Sequence, residues 1–128
     1  MIHHLAVRVY YEDTDLAGIV YYANYLKYIE RGRTEWVRDL GIDQARLKDT
    51  EGTVFAVRRV EADYLRPAKF DDELTVTTAL AEAGPARVTV DQEVLRGGEV
   101  LFHARVMLVA LGPGGRPRRI PQSLRAAG

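Results

Sequence analysis

The sequence predicts an α+β protein, an antiparallel sheet of five strands wrapped around one long helix. Three observations predict it. Five segments alternate apolar and polar residues with period two. One segment, between the first and second of these, carries apolar residues at helical spacing. The last three strand segments follow one another through short turns, which imposes antiparallel pairing. A sheet has a face to cover, and the helix is the only large apolar object available to cover it. At 128 residues the chain is read as one domain, 1–128, with 112–128 as an irregular tail.

The elements follow in order. From Ile2 to Tyr10, Leu5, Val7 and Val9 alternate with Ala6, Arg8 and Tyr10, a strand pattern. Tyr11 to Tyr22 begins polar and contains Gly18, so it reads as a loop. From Ala23 to Leu40 the residues Tyr25, Tyr28, Ile29, Gly32, Trp36 and Leu40 recur at three and four, forming one helical face. Asn24 is expected to cap its start and Gly41 its end. Gly32 lies on the apolar face, where a glycine costs roughly 1 kcal/mol against alanine. A neighbouring backbone packed close to it would account for that residue. Ile42 to Thr53 reads as a charged connector. Val54 to Leu65 is a strand whose phase slips at Arg58-Arg59, the mark of a bulge, and Pro67 ends it. Leu74, Val76, Thr78 and Leu80 form the next strand, Gly84-Pro85 turns the chain, and Val88, Val90, Gln92 and Val94 form another. Gly97-Gly98 is a hairpin signal of the primed type, leading into a last and longest strand, Val100 to Leu111. The tail from Gly112 is rich in arginine, glycine and proline and has no periodicity.

Composition removes several kinds of chemistry. Lys+Arg and Asp+Glu are both 18, so formal net charge is zero, against the basic excess a general nucleic-acid binder needs. There is no cysteine, hence no disulfide, thiolate metal site or cysteine nucleophile. Ser123 is the only serine, the sixth residue from the end, which excludes a G-x-S-x-G nucleophile elbow. The three histidines, His3, His4 and His103, form no H-E-x-x-H motif. Gly112-Pro113-Gly114-Gly115 lacks the lysine and helix of a phosphate loop. No cofactor and no metal are expected. No apolar run approaches the ~20 residues of a membrane span, and no secretory leader opens the chain, so a cytoplasmic location is expected. If the chain is an enzyme, its chemistry is expected to rest on carboxylates, backbone amides, tyrosines and arginines.

The segment Tyr11 to Tyr22 concentrates these groups. Asp13 and Asp15 sit in a loop feeding a helix N-terminus, whose free amides carry partial positive charge. Such amides can polarise a carbonyl placed beside them. Gly18 lets backbone approach a ligand closely. On these residues alone, capping of loop and helix start is the simpler account of both acids.

The longer pattern adds a resemblance. Y-Y-E-D-T-D-x-x-G-I-V-Y-Y-x-N-Y-L-x-Y-x-E-R-x-R-T-E-W, from Tyr10 to Trp36, resembles the signature of hotdog-fold acyl-CoA thioesterases. It is most similar to the 4-hydroxybenzoyl-CoA thioesterase family and its Tol-Pal-associated branch. A second match runs through Phe55-x-Val57-Arg58 and then Asp63-Tyr64-Leu65-x-Pro67-Ala68-x-x-Asp71-Asp72. The resemblance reaches about Pro121. It implies a hotdog fold and hydrolysis of an acyl-CoA thioester to free acid and CoA. It assigns the catalytic carboxylate to Asp15, as nucleophile or general base, and the oxyanion donor to the backbone N–H of Tyr22. Many members of the Tol-Pal branch have histidine where this chain has Tyr22, so histidine assistance is not expected here. Asn24 and Tyr25 are expected to fix the helix start and line the acyl pocket, with Gly18, Val20 and Tyr21 beside them.

Arg87 either meets CoA phosphates, as the resemblance implies, or is a solvated surface arginine. Arg58 and Arg59 either contact CoA or stabilise a subunit contact. His103 is expected to be a packed or surface residue. The alternative function is a non-catalytic acyl-CoA or acyl-carrier-protein binding scaffold; the intact Asp15 motif favours the enzyme. A hotdog dehydratase would need a histidine on the central helix, and 23–41 has none. The expected partners are the acyl-CoA substrate and further copies of the chain, with a homotetramer built as a dimer of dimers.

Overall fold

The computed structural model describes all residues, Met1–Gly128. Its elements are β1 (His3–Arg8), α1 (Asn24–Asp39), α2 (Gln44–Glu51), β2 (Val54–Tyr64), β3 (Glu73–Ala83), β4 (Val88–Arg96), β5 (Glu99–Leu111), β6 (Pro117–Arg118) and α3 (Gln122–Arg125). The main strands stand in the order β1-β3-β4-β5-β2, all neighbours antiparallel. β1 and β2 are therefore the two edges.

α1 lies against β1, β3 and β4. It buries Tyr25, Tyr28, Ile29, Gly32, Trp36 and Val37, the face its spacing announces. Opposite them, Leu74, Val76, Thr78, Val88, Val90, Gln92 and Val94 turn inward from β3 and β4. Gly32 is forced by this packing. A Cβ there would stand 2.7 Å from Val76 Cγ1 and 3.2 Å from both Gln92 Nε2 and Thr78 Oγ1. The close neighbours are side chains of the sheet, not the backbone expected from sequence. Gln92 ties the layers together: its Nε2 donates to Ile29 O and to Thr78 Oγ1, and its Oε1 accepts from Arg33.

Gly41, at φ +85, ends α1 as expected, with its own N–H donating to Arg38 O and that of Ile42 to Val37 O. The bulge in β2 falls between Val57 and Arg59. At the β4–β5 hairpin only Gly97 has positive φ, as in a type II′ turn.

Three expectations are corrected. The connector 42–53 contains α2, capped by Asp43 accepting from Arg46 N–H and closed by Gly52 at φ +68. None of its residues is buried, so it has no apolar stripe to read. Asn24 is not the N-cap: Ala23 occupies that position, and Asn24 begins the helix. The tail is not irregular. β6 pairs with Ala110 and Leu111 of β5, α3 follows, and Ile120 and Leu124 are buried in the core. The sheet thus has a sixth, two-residue strand. No helix is long and apolar enough to cross a membrane.

Candidate active site

The chain between β1 and α1 folds into a small hairpin. Thr14 and Val20 form an antiparallel bridge. The Asp15 N–H donates to Ile19 O at 2.9 Å, and Gly18 N–H donates to Asp15 O at 3.0 Å. Gly18 has φ +80, a conformation that glycine adopts without a Cβ penalty. The hairpin is fixed from outside, since Ile19 bridges Lys69 and Val20 N–H donates to Ala68 O.

The two acids play different parts here. Asp13 is partly buried and holds the hairpin shut. Its Oδ2 accepts from Tyr10 N–H, and its carbonyl accepts from Tyr21 N–H and from Asn24 Nδ2 at 2.8 Å. Asn24 therefore clasps hairpin to helix and does not cap. Asp15 is exposed at the turn. Its Oδ1 accepts from Ala17 N–H at 2.9 Å, leaving Oδ2 without a partner in the chain. A carboxylate so held is oriented and still open to a reactant.

The hairpin returns directly into α1. Tyr22 N–H and Ala23 N–H have no acceptor within the chain. They are the orphan donors of a helix start. The Tyr22 side chain is 61% exposed, while its carbonyl accepts from Tyr64 Oη at 3.0 Å. Tyr64 packs edge-on against Tyr22, Tyr25 and Phe102, and Tyr25 stacks on Phe102. Tyr25 is buried, and its hydroxyl accepts from Ala68 N–H. Burial pushes the phenols of Tyr25 and Tyr64 above their ordinary range. Tyr28 is pushed up too, by burial first and by the Asp13 carboxylate next, and no well-formed hydrogen bond reaches its hydroxyl.

Of the residues singled out from sequence, the fold gathers Asp15, Gly18, Tyr21, Tyr22 and Asn24 around one hairpin. Val20 and Tyr25 are buried in the core, so they support the site from beneath and offer no surface to a ligand within this chain. Arg58 and Arg59 lie on β2, where Arg59 pairs with Glu61 at 3.0 Å. Arg87 is exposed in the β3–β4 turn. That turn is at the Ala83 end of β3, whereas the hairpin is anchored near the Glu73 end, about 30 Å away at ~3.3 Å per residue. No one chain brings Arg87 to Asp15. The clefts lined by Thr34, Arg38 and Ile42, and by Leu5, Tyr10 and Asp13, leave out Asp15 and Tyr22. Tyr64, by contrast, carries no role in the sequence reading; only its place in the second matched motif drew attention to it.

A long helix laid across an antiparallel sheet in this strand order is a hotdog architecture. The thioesterase superfamily model matches residues 17–106, beginning two residues after Asp15. The chain is 38% identical over 122 residues to the acyl-CoA thioesterase YbgC of Haemophilus influenzae, covering 94% of this chain and 90% of that protein. A probable thioesterase from Bartonella henselae superimposes with TM-score 0.91 at 38% identity, over 94% of this chain and all of the other. A 4-hydroxybenzoyl-CoA thioesterase shares the fold at TM-score 0.90 and 20% identity, over 99% of each chain. The chain belongs to the thioesterase superfamily.

Proposed function

We propose that this chain hydrolyses acyl-CoA thioesters, with Asp15 as the reacting carboxylate and the Tyr22 backbone N–H as oxyanion donor. One observation carries the reading: an exposed carboxylate with a free oxygen and an unpaired amide share one hairpin at a helix start. The thioester carbon is electrophilic. Asp15 either attacks it or takes a proton from the attacking water, negative charge gathers on the carbonyl oxygen, and the amide stabilises it. The carbon–sulfur bond then breaks and CoA leaves as a thiolate; on the nucleophilic route water next hydrolyses the acyl–Asp15 anhydride to free acid, and on the general-base route the proton held by Asp15 passes to the thiolate. No side chain at position 22 takes part in these steps. The relatives' names support the CoA ester as substrate. The test is a panel of acyl-CoA esters assayed for thiol release. Turnover of at least one class supports the reading; tight binding without release on any ester would make this a binding scaffold.

The same reading includes assembly from copies of this chain in the cytoplasm. β2 is an eleven-residue edge strand carrying exposed Val54, Val57, Val60 and Tyr64. Unpaired edges of that length and character invite another strand. A second β2 would pair with this edge and extend the sheet across two copies, and a tetramer is two such dimers. Sedimentation equilibrium at micromolar concentration is expected to give a multiple of 14.4 kDa. A stable monomer would refute it.

A further inference from the structure

We propose that Tyr64 is a positioning residue of this site, its hydroxyl holding the Tyr22–Ala23 peptide so that the Ala23 N–H serves as a second oxyanion donor beside that of Tyr22. The inference deepens the thioesterase reading and rests on it for its kinetic part. The Tyr64 hydroxyl donates to the Tyr22 carbonyl at 3.0 Å across 42 positions of sequence, from the last residue of β2 to the turn that starts α1. That carbonyl and the Ala23 N–H belong to one peptide plane, so fixing the oxygen fixes the amide. A hydrogen bond accepted at the carbonyl also polarises the N–H on the other side of the plane, since bonds in a chain reinforce one another. Ala23 N–H has no acceptor in the chain, and neither does Tyr22 N–H. Two adjacent unpaired donors suit an oxyanion, which accepts more than one hydrogen bond.

The ring and the hydroxyl of Tyr64 do separate jobs. The ring packs at 5.0 Å from Phe102, 5.5 Å from Tyr25 and 6.1 Å from Tyr22, centroid to centroid. Those contacts hold the strand end against the helix start and survive in phenylalanine. The hydroxyl alone reaches the peptide.

Tyr64→Phe in the full chain separates the two. The expected result is a fall in kcat of roughly tenfold, a fraction of the 10²–10³ that follows complete loss of an oxyanion donor. KM should stay within about twofold and the melting temperature nearly unchanged. Backbone NMR should show the Ala23 amide resonance displaced. A kcat within twofold of the parent, in a preparation where Asp15→Asn is inactive, would overturn the proposal while leaving the thioesterase reading intact. Should the parent itself cleave no ester, that reading fails, and an Ala23 amide unchanged by Tyr64→Phe would sink the positioning role independently.

Discussion

Asp15→Asn is expected to lower turnover by at least ~10²–10⁴, the contribution of one positioned acid–base or nucleophilic group. The substitution keeps the size of the side chain and an oxygen to accept from Ala17 N–H, so the turn should persist. What is lost is the charge, the nucleophile and the base. Folding should survive, because the side chain is exposed and its local hydrogen bond contributes only about 0.5–1.5 kcal/mol. Acyl-CoA binding should persist as well. Asp13→Asn is the instructive companion. Its carboxylate accepts from Tyr10 N–H, and its carbonyl, which the substitution leaves in place, keeps the bonds from Tyr21 and Asn24. A modest loss of melting temperature with most of the rate retained is the expected pattern. A thioester cleavage assay and a thermal melt on both variants decide it. Full activity in Asp15→Asn would reject the assignment.

The largest expected effect on stability lies at Gln92. This side chain is fully buried and makes three hydrogen bonds, two as donor and one as acceptor. Gln92→Leu keeps the volume and removes all three. Arg33 then has no acceptor for its only side-chain bond and no carboxylate at ion-pair distance. Burial already disfavours its charge, depressing its pKa. Each buried group left unsatisfied costs about 1–3 kcal/mol, more for a charged one. The sum is roughly 2–5 kcal/mol, enough to lower the melting temperature by on the order of 10 °C. Gln92→Glu should recover part of this, since a carboxylate serves Arg33 but cannot donate to Ile29 O. Turnover measured well below the melting point should be close to normal in both. A Gln92→Leu protein that melts like the parent would show the network to be dispensable.

The fold was largely legible because its main elements carry strong periods. α1 shows one apolar stripe, and β3 and β4 alternate cleanly. What escaped had no period to show. α2 exposes or half-exposes every residue, so nothing distinguishes it from a charged loop. Ile120 and Leu124 are isolated apolar residues among arginines and prolines, and only the assembled core reveals that they plug it. The site was half legible. Residue types and spacing bring attention to Asp13 and Asp15 together, and resemblance chose between them. That one is engaged and the other open depends on hydrogen bonds to Tyr10, Tyr21 and Asn24 that sequence does not print. Tyr64 is harder still, since its partner is a backbone atom on a distant segment.

The order of strands also bears on how the chain assembles in time. β3, β4 and β5 are neighbours in both sequence and space, joined by short turns. The edges are different: His3 pairs with Thr78, and Val54 with Leu111. Closing those long loops costs entropy before any contact repays it. The meander is therefore expected to organise first, with β1 and β2 docking onto it afterwards. The Asp15 hairpin hangs between a late strand and the helix, and Tyr64 ends the other late strand. Asp15 and Tyr64 thus both lie outside the β3–β4–β5 meander. Substitutions there are expected to act mainly on the rate of unfolding and to leave the rate of folding nearly unchanged.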